Sequence, residues 1–206
     1  ALYGYSYTIY NFFLSLSTVG FPLAISKLTS EYNTLGMNAE KVRLYKISKI
    51  FILIFSLICF LICFIFAPQV ANLIIGNIEN GNTIEDVSFT IRMVSFALLV
   101  IPLLSIMRGY LQGHKYIKEP SLSQVIEQVV RVIVILLGSY LTLKVFHLSL
   151  RTTIGVAVFA SCAGGIFAYI YLTVIMKKNK DKLLPKEKQT SKIKDKEIIK
   201  KIITYS

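Results

Sequence analysis

Between Ile47 and Ala67 the chain reads ISKIFILIFSLICFLICFIFA, in which Lys49 is the single charged side chain. About 20 apolar residues is the length that crosses a hydrocarbon core of about 30 Å, and it far exceeds the one apolar stripe of a soluble surface helix. Comparable runs lie roughly at Tyr5–Leu28, Val87–Met107, Ser121–Leu143 and Thr152–Met176. Backbone groups in lipid must find partners within their own segment, and none of these runs alternates like a barrel strand, so each is expected to be a helix. A hydrophobic share of 54% and a mean hydropathy of +0.62 point the same way. The expected fold is all-α, a polytopic helical membrane protein with five spans in residues 1–176 and a lysine-rich segment over 177–206.

The basic residues predict orientation. Lys41, Arg43 and Lys46 fall in one link, Arg108, Lys115 and Lys118 in another, and eleven lysines follow Met176. These regions are expected on the cytoplasmic side. The stretch from Pro68 to Asp86 holds Glu79, Glu85 and Asp86 without a basic residue, and the link after Leu143 holds only Lys144 and Arg151, so both are expected outside. The net charge of +12 is then an inward-facing property rather than a nucleic-acid surface. Five spans ending inside would place Ala1 outside, which implies an upstream span. The isoleucines among lysines in KIKDKEIIKKIITYS predict either an interfacial amphipathic helix leading toward another span or a disordered tail.

No catalytic set emerges, so an enzyme is not expected, nor a metal or cofactor. His114 and His147 stand in links away from a nucleophile or second ligand. Cys59, Cys63 and Cys162 lack metal-site spacing and read as small buried hydrophobes. In the fifth span Ala157, Ser161 and Gly165, flanked by Ala160, Gly164 and Ala168, form small-residue ladders suited to close helix packing. Pro22 and Pro102 are expected to bend their helices.

Polar residues inside the spans are more telling, because each costs free energy in lipid. Thr8, Asn11, Ser15, Thr18, Pro22 and Ser26 recur at steps of three and four along the first span, and Ser121, Gln124, Glu127, Gln128 and Arg131 do so along the fourth. Each set makes one stripe that should face protein or water. Arg131 stands near mid-depth, where a charge costs about 2.5–3.5 kcal/mol on insertion scales. Glu127, one turn away, is its expected partner, and a purely structural ion pair fixing helix register is a competing reading. Lys27 and Glu31 repeat the same spacing at the inner end of the first span, and Arg92 lies a turn or two into the third.

Three stretches in this order, STVGFPLAISKLTSEY, RGYLQG and PSLSQVIEQVVRV, resemble the polysaccharide-biosynthesis and stage V sporulation protein B branch of the multidrug, oligosaccharidyl-lipid and polysaccharide exporter superfamily, which includes the MurJ-type lipid II flippases. The resemblance implies an N-terminal lobe of six helices whose first helix lies upstream, joined through the lysine-rich segment to a second lobe. It implies alternating access around a cationic cavity, at the cell membrane of a bacterium, with a polyprenyl-pyrophosphate-linked sugar as substrate, membrane lipids as surroundings and cell-wall synthesis enzymes as a further partner class. Arg108 and Arg131 are the residues expected to meet the anionic group, with Glu127 orienting Arg131, Lys27 as a weaker candidate and Arg92 assisting release outside. Asn11, Ser15, Thr18, Gln124 and Gln128 would line the cavity. A teichoic-acid or capsule precursor, a small cationic drug, an enzyme acting on polyprenyl phosphate and a non-transporting scaffold are the rival readings.

Overall fold

The computed structural model describes residues 20–75, 83–147, 149–185 and 195–205. The expected cavity-lining residues Asn11, Ser15 and Thr18, with most of the first span, lie outside the described residues. In chain order the helices are α1 (Phe21–Thr34), α2 (Asn38–Ile65), α3 (Ala67–Ile75), α4 (Ile84–Ser95), α5 (Ala97–Gly113), α6 (Lys118–Tyr140), α7 (Leu150–Lys178), the short α8 (Lys180–Leu183) and α9 (Asp195–Tyr205), with a π turn at Leu141–Val145 after α6. No strand occurs among the described residues. Four helical stretches are long and apolar enough to cross a membrane: Asn38–Ile65, Ile84–Gly113, Lys118–Val145 and Leu150–Lys178. The molecule is an all-α membrane protein.

Local chemistry sets several boundaries. Thr83 caps α4 through a reciprocal box: its hydroxyl accepts from the Asp86 amide at 3.2 Å, and the Asp86 carboxylate accepts from the Thr83 amide at 3.3 Å. Pro22 falls in the first turn of α1, where a missing amide leaves no helical bond unmade. Pro102 lies inside α5, and the helix runs through it. The interruption between α4 and α5 sits instead at Phe96.

The packing joins α1, α2, α5, α7 and α8 around Ile25, Ile52, Leu104, Tyr110, Leu172 and Leu183. A second cluster packs Cys63 and Cys162 with Val94, Leu98 and Val158, and the three described cysteines are buried thiols outside any disulfide. Gly109 and Gly113 bring α5 against α1: a Cβ on Gly109 would stand 2.5 Å from the Pro22 carbonyl oxygen, and one on Gly113 would meet Thr29 at the same distance. This is the close approach that glycines four residues apart permit between membrane helices.

In the lysine-rich end, Asp195–Tyr205 forms an amphipathic helix. Ile198 and Ile202 of α9 are buried against Leu28, Tyr32 and Leu44. Its amphipathic stripe is satisfied by the inner ends of α1 and α2, so protein competes successfully with the membrane surface for that face.

Candidate functional site

Helix α6 is arranged inside out. Its buried residues are Pro120, Ser123 and Glu127, whereas Val125, Val129, Val132, Ile133, Leu136 and Leu137 are exposed. A soluble helix would bury the valines and leucines. In lipid the exposed apolar residues need no partner, and a charged side chain does. Of the expected polar stripe Ser121, Gln124 and Gln128 are exposed, whereas Arg131 is half-buried and Glu127 lies on the buried face.

What meets that face is Arg108 at the inner end of α5. Its Nε donates to the Ser123 hydroxyl at 2.8 Å, and its terminal nitrogen donates to Glu127 Oε2 at 2.9 Å. Arg131, one turn along α6, donates to the other carboxylate oxygen, Oε1, also at 2.9 Å. A second nitrogen of Arg131 reaches Gln128 Oε1 at 3.3 Å. The Ser123 hydroxyl donates to the Pro120 carbonyl at 2.6 Å, so its lone pairs remain available to Arg108. Glu127 is therefore shared between two arginines rather than belonging to Arg131 alone. All three side chains are largely withdrawn from solvent, at 8% exposure for Glu127, 12% for Arg108 and 13% for Arg131.

Two guanidiniums on one carboxylate leave the cluster with an excess positive charge. Arg131 also keeps its Nε buried with no hydrogen-bond partner. A groove of about 500 Å³ opens beside the cluster, lined by Arg108, Gln124, Glu127 and Gln128 on its polar side and by Val125 and Val129 on its apolar side. It can offer charge-assisted donors to an anion while its rim stays compatible with hydrocarbon.

The backbone beneath the cluster is fixed by Gly164 on α7, where a Cβ would come within 2.5 Å of the Glu127 carbonyl oxygen. Of the small residues expected to form packing ladders, this one sets the depth at which Glu127 sits. Gly109, next to Arg108, does the equivalent for α5 through Pro22.

The other expected site residues lie elsewhere. Lys27 is exposed, with its ammonium 4.0 Å from the centroid of the Tyr205 ring on α9, and among the described ion pairs none joins it to Glu31. Arg92 is on α4, its guanidinium 5.5 Å from the Phe64 ring. The bond from Arg108 to Glu127 and the role of Ser123 as acceptor for Arg108 were not among the expected contacts. The available signal for both was Ser123 and Glu127 at i and i+4 on one stripe, with an arginine just before a pair of glycines at the same spacing.

Comparison with known proteins bears on this geometry. The family model described as polysaccharide biosynthesis protein matches residues 1–206. The chain belongs to the polysaccharide biosynthesis protein family. It is 37% identical to the lipid II flippase MurJ of Bacillus subtilis (strain 168) over the whole chain and 39% of that protein. It is also 30% identical to the uncharacterized membrane protein YabM of the same organism, covering the whole chain and 36% of that protein. To the stage V sporulation protein B, again from Bacillus subtilis, it is 26% identical over 82% of the chain and 31% of that protein. The chain thus spans less than two fifths of the length of these curated relatives. No solved structure matches it. As a polysaccharide biosynthesis family member with several membrane-length apolar helices, it is a multi-pass bacterial membrane protein.

Proposed function

We propose that this polysaccharide biosynthesis family chain forms most of one lobe of an alternating-access flippase that moves a polyprenyl-pyrophosphate-linked cell-wall or polysaccharide precursor across the cytoplasmic membrane. The observation that carries the reading is the Arg108–Glu127–Arg131 cluster beside its groove. A sugar pyrophosphate crossing hydrocarbon loses water from its charges, and fixed guanidinium donors replace that water. The excess positive charge of the cluster favours an anion over a cationic drug. A structural ion pair would need no surplus charge and no groove, so the transport role is preferred to the purely structural one. Membrane lipids would hold the polyprenyl tail along the exposed valines of α6, and no enzymatic step is proposed.

Removal of Glu127 and Arg131 together would still leave Arg108 without its carboxylate, so the informative variant is Arg108→Met, Glu127→Gln, Arg131→Met in the full-length protein. Replacing a buried ionic cluster as a unit is often neutral or stabilising. The triple variant is expected to insert and melt like the wild type in detergent but to lose flipping of a labelled lipid-linked sugar in vesicles. Wild-type flipping by a stable triple variant would sink the assignment.

A further inference from the structure

Arg92 carries a charge that no described residue neutralises. It lies in a membrane-length helical stretch, its Nε is buried without a hydrogen-bond partner, and among the described residues no carboxylate pairs with it. The ring of Phe64 at 5.5 Å accounts for one face of the guanidinium and for none of its in-plane donors. A cation held this way is suited to an anion that the described residues do not supply.

The same residue lines a cavity of about 330 Å³ together with Ser88, Phe89, Glu85 and Arg151. Ser88 is buried at the cavity wall. Arg151, at the start of α7, stacks over Phe89 at 5.1 Å, donates to the Glu85 carbonyl at 3.2 Å and stands 3.6 Å from the Glu85 carboxylate and 3.4 Å from that of Asp86. Glu85 is 83% exposed, and Asp86 already serves the N-cap of α4, so neither carboxylate is committed to Arg151. An incoming anion could take over the guanidinium that Glu85 holds from solvent.

Depth narrows the ligand. The stretch from Ile84 to Gly113 is 30 residues, about 45 Å at 1.5 Å per residue, which matches a bilayer with its headgroup layers. Arg92 therefore stands about 12 Å in from the end that the lysine distribution assigns to the outside, and a snorkelling arginine reaches headgroup level from there. Two guanidinium forks and a hydroxyl on two helices can address more than two ligand oxygens, which a phosphate has and a carboxylate lacks.

We infer that Arg92, Arg151 and Ser88 form a phosphate-binding site at the outer membrane interface, separate from the Arg108–Glu127–Arg131 cluster. The source of the phosphate is a lipid headgroup or a free ion, and the test separates them. Delipidated full-length protein in detergent is melted with phosphatidylglycerol, with dioleoylglycerol, which lacks the phosphate, and with inorganic phosphate. Phosphatidylglycerol is expected to raise the melting temperature where dioleoylglycerol does not. A rise with inorganic phosphate alone would assign the site to a free anion instead. Arg92→Met is expected to weaken the phosphate-dependent rise at least about tenfold in ligand concentration, the loss of roughly one charge-assisted bond. Without ligand, the same variant should melt no lower than the wild type, because an unpaired cation has been removed. Arg151→Gln should weaken the response less, and Arg92→Lys should restore part of it. Equal stabilisation by phosphatidylglycerol and dioleoylglycerol, or an unchanged phosphate response in both Arg92→Met and Arg151→Gln, would overturn the site. Because the readout is binding, it is independent of whether the cluster on α6 supports flipping.

Discussion

Glu127 accepts from two arginines at once, and this makes it the most costly single residue of the cluster to neutralise. Glu127→Gln leaves two guanidiniums facing an amide that can answer neither as an anion, and the expected loss of stability in detergent is about 3–5 kcal/mol, the cost of breaking a buried pair. Ser123→Ala removes the acceptor of Arg108 Nε and should cost about 1.5–3 kcal/mol by the same melting measurement. A residue outside the spans, His114, supplies a pH dependence. Its Nδ1 faces the Tyr110 carbonyl at 2.9 Å, and its Nε2 is buried without a partner. Burial, with a smaller contribution from the charge of Lys41, holds its pKa below the ordinary 6.5, although the bond to Tyr110 opposes the shift. The unfolded chain then takes up the proton first as pH falls, so this contribution to stability is full above about 6.5 and lost on acidification below it. His114→Asn should melt with a flatter dependence between about pH 7.5 and 5.5 than the wild type. An equally steep fall in both proteins would remove His114 from the account.

At the scale of elements, two glycine contacts hold the site helices in register. Gly164→Ala pushes a methyl group into the Glu127 carbonyl, and no flexible side chain is available there to yield. The expected cost is about 1–3 kcal/mol, accompanied by a loosened Arg108–Glu127 contact that a cross-link between α5 and α6 would report as reduced yield. Sequence patterning was most informative at this scale. The apolar runs predicted the four membrane-length helices because lipid permits little else, whereas of the polar stripe on α6 only Glu127 is buried and Ser121, Gln124 and Gln128 are exposed. The break at Phe96 had no such signal: the residues on both sides are apolar and helix-compatible, and Pro102, which does carry a breaking signal, is absorbed within α5. The α9 helix was legible as amphipathic, but the partner of its apolar face was not. Amphipathic spacing identifies a face that seeks an apolar surface, but whether lipid or the ends of α1 and α2 provide it depends on tertiary structure.

For the whole molecule, the basic-residue distribution predicts an orientation that labelling can check. Single cysteines at Glu85 and Lys115, both exposed, should react with a membrane-impermeant reagent on opposite sides of intact cells, Glu85 directly and Lys115 only after lysis. Reaction of Lys115 from outside would overturn the topology on which the outer phosphate site depends. The candidate site was legible as a list of charges but not as an arrangement, because its decisive contact joins residues 19 positions apart across two helices. That same separation has a consequence for biogenesis. During synthesis α5 enters the membrane before α6 exists, so Arg108 must wait for its carboxylate, and its place near the inner end lets it wait in the headgroup layer. Helix α6 arrives with Glu127 and Arg131 already within one turn of each other, a segment that brings its own counter-ion into lipid. The arginine that depends on another helix is stationed where water is close, and the one at mid-depth travels with its partner.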